Sequence, residues 1–538
     1  MVECLENEGV EYVFGLPGEE NLDMIDALVD SSIRFVTTRD ERGAAFMADT
    51  YGALTGKPGV CLATLGPGAI NLMLGIANAQ LDSHPLVAIA AQARLGRIYK
   101  ESHQFVDLVS LYRPITKWGD MVTVPEAAPE MVRKAFKQAQ TERPGATFII
   151  LPEDVAELPV DGEPLTVNFP RDPAPSEEQV HRAAHVLETA AHPVVLAGPG
   201  VERDGAMGAL IRFSERLNVP VATTFLGKGV FPDDHPNALG TIGFMVRDYA
   251  NFGFDRADVV VAVGYDLVEY SPSRWNPNRD KRIVHIHRTV AEVDAHYTLV
   301  VGLQGSIGEA LDAIAGSSDI HAIAGALPPV RGLVREELER GAADDGFPVK
   351  PQRLVADIRT AMGQDDIVLC DTGAVKMWMA RLYPTYRPNT CLISNGLATM
   401  AFSLPGALAA KLVKPERKVL AAMGDGAFLM SAAEIETAVR ERAPFVILVW
   451  VDGGYGLIGW KQDIHFGRQS AVSFGNPDFV RFAESFGARG YQIGSAGELL
   501  PTLRKALDDD VVSVIACPVD YRENARLIER LGALTEPI

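Results

Sequence analysis

Residues 419–434 read VLAAMGDGAFLMSAAE, and residues 445–456 read FVILVWVDGGYG. Each opens with an unbroken apolar run, the pattern of a strand buried on both faces of a parallel sheet. Each run then stops at an aspartate flanked by glycine: Gly424-Asp425-Gly426 in the first, Asp452-Gly453-Gly454 in the second. Two carboxylates at neighbouring strand ends can hold a hard divalent cation, and glycines let backbone groups approach a phosphate. Either turn alone reads equally well as an ordinary Asp-Gly turn, so the weight lies in the pair. Ser431 and Glu434 have capping-box spacing, which predicts a helix opening there and running to about Arg442, before Pro444.

The same pattern recurs through the 538 residues. Buried strands are expected at Gly59–Ala63 and Leu86–Ala90. Others are expected at Val194–Ala197, Val259–Val263 and Arg282–Ile286, and then at Ile367–Cys370 and Val419–Met423. Two proline-containing stretches divide the series. One spans Pro152 to Pro175 with six prolines, and the other spans Gly316 to Pro351 and contains Pro328 and Pro329. Both read as extended connections. The result is an α/β chain of three doubly wound parallel-sheet domains, at 1–165, 178–330 and 345–538. The opening VECLENEGVEYVF reads as the second half of an amphipathic helix running into a strand, with a turn of helix expected upstream of Met1.

Composition excludes several partners. Lys and Arg number 50 against 70 Asp and Glu, a net charge of −20, which opposes binding to nucleic acid or an anionic membrane. The most apolar stretch, Phe445–Val451, is far short of the ~20 residues of a membrane span. The five cysteines form no CxxC pair, which fits a reducing cytoplasm and not a disulfide framework or structural zinc. The first strand lacks GxGxxG, which weighs against a nucleotide-binding dehydrogenase.

In the first block, the strand around Val13–Phe14 ends in Pro17-Gly18. The strand from Arg34 runs into a helix at Glu41-Arg42-Gly43-Ala44-Ala45, and a third strand ends in Thr64-Leu65-Gly66-Pro67-Gly68-Ala69-Ile70-Asn71. Taken alone, Glu41 is an acid in the first turn of a helix, where the helix dipole favours it.

These motifs together resemble the thiamine diphosphate-dependent enzymes. The 27-residue step from Asp425 to Asp452 is similar to that family's metal signature, and Asp in place of the usual Asn resembles the flavin-free, catabolic acetolactate synthases. The resemblance covers nearly the whole chain and implies an enzyme. Pyruvate would be decarboxylated and its two-carbon unit joined to a second 2-oxo acid, giving 2-acetolactate and CO₂. The pathway served, acetoin or branched-chain amino acids, stays open. So does a different donor or acceptor on the same scaffold, or an inactive regulatory homologue.

The resemblance also implies roles for residues. Asp425, Asp452 and the Gly454 carbonyl would bind Mg²⁺. Gly424, Gly426, Ala427, Tyr455, Gly456, Leu457 and the run Asp371-Thr372-Gly373-Ala374 would meet the diphosphate. Ala398 and Met400 would hold the pyrimidine, with Met400 wedged between the two cofactor rings, and Pro17, Gly18, Thr64 and Asn71 would complete that site. Glu41 would share a proton with N1′ of the aminopyrimidine. Gln104, and less directly His103, would approach the reacting carbon, where an amide can bind an oxyanion without titrating. Lys461, with Trp460, stands where relatives carry Gln or Trp, and a cation there could bind the second substrate's carboxylate. Asp266 replaces an arginine of the flavin-dependent relatives, which argues against FAD. A homodimer or homotetramer is implied, with active sites at the subunit interface.

Overall fold

A computed structural model describes residues 1–160, 162–168, 172–243, 253–317 and 331–527. Pro170, Pro328 and Pro329 of the two proline-containing stretches lie outside the described residues. The chain forms three parallel sheets of six strands each. The first contains β1 (Tyr12–Gly15), β2 (Arg34–Thr37), β3 (Gly59–Ala63), β4 (Leu86–Gln92), β5 (Trp118–Met121) and β6 (Ala146–Pro152), in the order β2-β1-β3-β4-β6-β5. The second contains β7 (Pro193–Ala197), β8 (Val221–Thr223), β9 (Ala238–Thr241), β10 (Val259–Val263), β11 (Arg282–His287) and β12 (Leu299–Gln304), in the order β12-β11-β10-β7-β8-β9. The third contains β13 (Ile367–Cys370), β14 (Cys391–Ile393), β15 (Val419–Gly424), β16 (Val446–Val451), β17 (Arg489–Gln492) and β18 (Ser513–Pro518), in the order β14-β13-β15-β16-β18-β17. The first and third sheets thus share one strand order. The middle sheet reverses direction between β7 and β10, where folds of this type present a crevice.

The core strands are the apolar runs of the sequence. β3, β10 and β13 are buried at every position, because helices cover both faces of each sheet. The first and third sheets share one continuous core, which passes between the helices Glu41–Thr55 and Ser403–Val413. Phe46 and Phe402 meet there edge to face at 6.1 Å. Burying each such side chain contributes roughly 1.5–3 kcal/mol. Gly406 permits the approach, since a Cβ there would lie 2.7 Å from the Thr50 hydroxyl.

One expectation is corrected. The stretch from Gly316 to Pro351, read as an extended connection, contains a helix at Arg331–Ala342. Its Val334 and Leu338 pack against the third core, and Arg335 pairs with Glu339 one turn on at 3.6 Å. Prolines at the edges of the stretch concealed a helical pattern between them. Among the described residues, no helix is long and apolar enough to cross a membrane.

The helices Glu41–Thr55 and Pro67–Asp82 pack almost backbone to backbone. A Cβ on Gly75 would lie 2.4 Å from the Ala45 Cβ and 2.8 Å from the Ala45 carbonyl carbon. Gly75→Ala should therefore destabilise by about 1–3 kcal/mol through overpacking, although alanine in an open helix stabilises by roughly 1 kcal/mol. A lowered midpoint of thermal unfolding is the expected result; a raised midpoint would show that the helices can part without cost.

Candidate active site

At the carboxyl end of β15 the chain turns at once into a helix, Asp425–Ser431, so Asp425 sits in its first turn. The Asp425 side chain is fully buried. Its Oδ1 accepts the Gly426 N–H at 2.9 Å. Its Oδ2 accepts the N–H groups of Asp452 at 3.2 Å and Gly453 at 2.8 Å, and the Asn476 amide at 2.7 Å. The ends of β15 and β16 are therefore joined at this one carboxylate. Asp452 is exposed, yet it is pushed above the usual carboxylate range, first by desolvation and then by the neighbouring Asp425 carboxylate. Two glycines make the crowding feasible. A Cβ on Gly456 would lie 2.3 Å from Asp452 Oδ2, and one on Gly426 would lie 3.0 Å from the Tyr455 ring. Tyr455 in turn packs on Phe474 at 5.1 Å, next to the 454–473 bridge.

Asn476 is the residue that sequence reasoning missed here. It follows no strand, and only the tertiary fold brings it to Asp425. Its Oδ1 is buried without a partner. Two carboxylates at adjacent strand ends, with an unpartnered amide oxygen on the side chain that bonds one of them, offer oxygen donors of the kind Mg²⁺ takes. No cluster of three or more His, Cys, Asp or Glu side chains placed to hold a metal occurs among the described residues, so phosphate oxygens would have to complete the shell.

The capping box expected at Ser431 and Glu434 does not form. Ser431 ends the first helix with its hydroxyl buried and unpartnered, and the next helix, Glu434–Arg440, begins from Ala433. Glu434 is buried and reaches instead into the first domain, where it accepts the N–H groups of Arg39 and Asp40.

The loop after β14 carries Ala398 and Met400. Ala398 and Ala401 both adopt left-handed backbone, at φ 56° and 73°. Such strain in residues other than glycine persists only where surrounding contacts impose it. Asp371, at the end of β13, imposes part of it. Its carboxylate is fully buried and accepts the N–H groups of Thr372, Ala401 and Ser403 and the Ser403 hydroxyl, at 2.8–3.0 Å. Burial pushes this acid up to about 6 even so. Asp371 is thus committed to the protein, whereas the Thr372 hydroxyl beside it is buried and unpartnered. Gly373, at φ 119°, leads into the helix Ala374–Leu382.

On the first sheet, Glu41 opens its helix after the Asp40 cap. Asn71, from the first turns of the helix Pro67–Asp82, donates to Glu41 Oε2 at 3.0 Å. A Cβ on Gly68 would lie 3.1 Å from Glu41 Oε1. Thr64 lies against Gly18 and donates its hydroxyl to Glu20 at 2.8 Å, while Pro17 is exposed beside it. His103 and Gln104 lie exposed on the loop after β4, with Gln104 at φ 57° and its carbonyl against Gly66. On the helix Gly456–Phe466, Lys461 is exposed and Trp460 packs partly into the third core. The contacts thus join Glu41 to Asn71 on the first sheet, and Asp425 to Asp452, Gly426, Tyr455 and Gly456 on the third, as two separate clusters. No hydrogen bond among the described residues joins one cluster directly to the other.

In the middle sheet, Asp266 is buried at the switch point. Arg203 bonds it at 3.1 Å and Glu142 of the first domain at 2.6 Å, and Arg143 reaches Asp266 at 3.4 Å. Burial alone would raise Asp266, but Arg203 and then His287 hold it well below the usual carboxylate range.

Three family descriptions match the chain. The N-terminal TPP binding domain of thiamine pyrophosphate enzymes matches residues 1–111, the central domain 180–314 and the C-terminal TPP binding domain 371–517. An acetolactate synthase of Bacillus subtilis (strain 168) is 36% identical over 533 residues, covering 98% of this chain and 94% of its own. A catabolic acetolactate synthase of Raoultella terrigena is 36% identical over 538 residues, with 99% and 96% covered. An acetolactate synthase isozyme 1 large subunit of Escherichia coli (strain K12) is 31% identical over 542 residues, with 97% and 94% covered. The N-terminal and C-terminal matches fall on the two sheets that carry the Glu41 and Asp425 clusters, and the chain belongs to the thiamine pyrophosphate enzymes, alongside the acetolactate synthases.

Proposed function

We propose that the protein is an acetolactate synthase, which releases CO₂ from one pyruvate and joins the remaining two-carbon unit to a second, giving 2-acetolactate. The observation that carries this reading is the pair Asp425 and Asp452 at adjacent strand ends, tied to Asn476, on a chain related along its length to acetolactate synthases. In this reading Asp425, Asp452 and the Gly454 carbonyl hold Mg²⁺, and the unpartnered Asn476 Oδ1 is a further oxygen donor beside them. Gly424, Gly426, Ala427, Thr372, Gly373, Ala374, Tyr455, Gly456 and Leu457 receive the diphosphate; Asp371 contributes by shaping their loop. Ala398 and Met400 hold the pyrimidine, with Pro17, Gly18 and Thr64.

Thiamine diphosphate, when bound, supplies a carbon nucleophile and an electron sink for decarboxylation. Glu41 holds and moves a proton at N1′ of the aminopyrimidine. Asn71 fixes the orientation of that carboxylate through Oε2. Gln104 and His103 face the reacting carbon from the loop after β4, and Lys461 attracts the carboxylate of the second 2-oxo acid. The exposed Lys461 also favours a second reading, in which the acceptor is a 2-oxo acid other than pyruvate.

A homodimer or homotetramer completes the sites. Ile70 and Leu74 beside Asn71, and Leu429 and Met430 beside Asp425, are exposed in the single chain at 39–44%. Apolar side chains beside both clusters suit cover by a second copy. The enzyme works without FAD. The switch-point crevice, where a dinucleotide would lie, is crossed by the Glu142–Arg203–Asp266 bridge, and Gly200 and Gly264 touch backbone to backbone. Domain limits of 1–165, 178–330 and 345–538 go with this reading, as does a cytoplasmic location for a chain with five free, buried thiols.

Three measurements test these assignments. Asp425→Ala should weaken thiamine diphosphate binding in Mg²⁺ buffer by more than about 100-fold while the fold persists; unchanged affinity would refute the metal site. Glu41→Gln should still bind the cofactor but slow its C2–H exchange by more than the ~10²–10⁴-fold credited to one acid–base group. Deuterium exchange with acid quench and NMR reads this, and a wild-type rate would reduce Glu41 to a helix-start acid. The purified enzyme should lack flavin absorbance and convert pyruvate without added FAD; stoichiometric flavin required for activity would sink the flavin-free reading.

A further inference from the structure

The first and third domains exchange buried acids behind the two clusters. Glu434, from the third domain, is 1% exposed. Its Oε1 accepts the N–H groups of Arg39 and Asp40, both at 3.0 Å, and its Oε2 accepts the Thr437 hydroxyl at 2.6 Å. Arg39 and Asp40 are the two residues before Glu41. Gly43 makes the approach feasible, because a Cβ there would lie 2.6 Å from Glu434 Oε1.

In the other direction, Asp82 of the first domain is 1% exposed at the far end of the helix that carries Asn71. It accepts the N–H of Asn395 at 3.1 Å and that of Gly396. Asn78, one turn earlier, donates to Asp82 at 3.2 Å and to Asp49 at 2.7 Å. Its Oδ1 accepts the hydroxyls of Ser394 at 2.6 Å and Thr399 at 2.9 Å. Ala398 lies inside this bracket and Met400 directly beyond it. Asp371 holds the far side at Ala401 and Ser403.

We propose that Glu434 and Asp82 are a reciprocal pair of positioning residues, through which each domain fixes the reactive loop of the other. Glu434 sets the turn that aims Glu41, and Asp82 with Asn78 sets the loop that carries Ala398 and Met400. This rests on the reading of Glu41 and Met400 as cofactor residues.

Energetics separates these acids from ordinary structural ones. The donors that bond the Glu434 and Asp82 oxygens are backbone, hydroxyl or amide groups, while the Asp40 carboxylate faces Glu434, and the His84–Asp49 pair and Lys376 face Asp82. Burial pushes Glu434 up to about 7 and Asp82 up to about 6. A carboxyl raised in the fold holds its proton more tightly there than in the unfolded chain. Its contribution to stability is therefore greatest at acid pH and is lost as pH rises through 6 to 7. At neutral pH each acid therefore contributes less than it does when protonated, and both stand behind the residues assigned to chemistry.

The test uses holoenzyme with Mg²⁺, thiamine diphosphate and pyruvate. Glu434→Ala and Thr399→Val should each lower kcat and the C2–H exchange rate by about 10- to 100-fold, as a small misplacement does. KM for pyruvate and cofactor affinity should stay within about threefold, the mark of positioning rather than binding. Glu434→Gln should recover most of the rate, because its amide oxygen accepts the same two N–H bonds. Wild-type exchange in Glu434→Ala, or equal losses in the Gln and Ala variants, would overturn the Glu434 half. If Glu434→Ala fails to fold, Glu434→Gln with exchange as slow as in Glu41→Gln overturns that half. Thr399→Val removes only the hydroxyl that Asn78 accepts and Asp82→Ala removes the acceptor of the Asn395 and Gly396 N–H groups, so wild-type exchange in either folded variant overturns the Asp82 half. Wild-type enzyme that neither binds the cofactor nor consumes pyruvate would instead sink the cofactor reading itself.

Discussion

A parallel sheet delivers its loops at the carboxyl ends of the strands, where the ladder stops and backbone N–H groups lose their partners. In this protein buried carboxylates accept those groups. Asp371 takes three, Asp425 takes three, and Glu434 and Asp82 take two each across a domain boundary. Leaving a buried donor unpaired costs about 1–3 kcal/mol, so each acid is worth several such penalties to the loop it holds. The left-handed backbone of Ala398 and Ala401 is tolerated for that reason, and the site's geometry follows from these acids more than from apolar packing nearby.

The shared core of the first and third domains complements this polar frame. The helices Glu41–Thr55 and Ser403–Val413 meet where Gly406 leaves room for the Thr50 hydroxyl and Phe46 packs on Phe402. The helix Glu41–Thr55 also lies backbone to backbone on Pro67–Asp82 at Ala45 and Gly75, which fixes the distance between them. Glu41 and Asn71 sit at the starts of these two helices and bond each other.

The legible parts of the sequence were those in which local pattern and burial coincide. β3, β10 and β13 are uninterrupted apolar runs buried on both faces, and their ends fall where the runs end. Trp118–Met121 and Arg489–Gln492 are edge strands, partly exposed and without such a run, and nothing marked them. Asp425 and Asp452 stood out because each follows a legible strand. Glu434 was misread because capping-box spacing is a local signal, while its real partners lie 394 and 395 residues away. Asn476 and Asp82 carried no signal, since Asn476 meets Asp425 only when the third domain folds, and Asp82 meets Asn395 and Gly396 only when the first and third domains come together. The helix at Arg331–Ala342 was hidden by the prolines around it.

The bridge of Glu142, Arg203 and Asp266 has a mechanical consequence. Arg203 is charged at any working pH, and Asp266 is held ionised by it and by His287. All three side chains are largely shielded from water, where dissolved salt screens little. The joint between the first and middle domains is therefore little weakened by added salt. Glu142 of the first domain and Asp266 of the middle domain share one buried guanidinium, so parting the two domains would strand a charge without its partner, away from water.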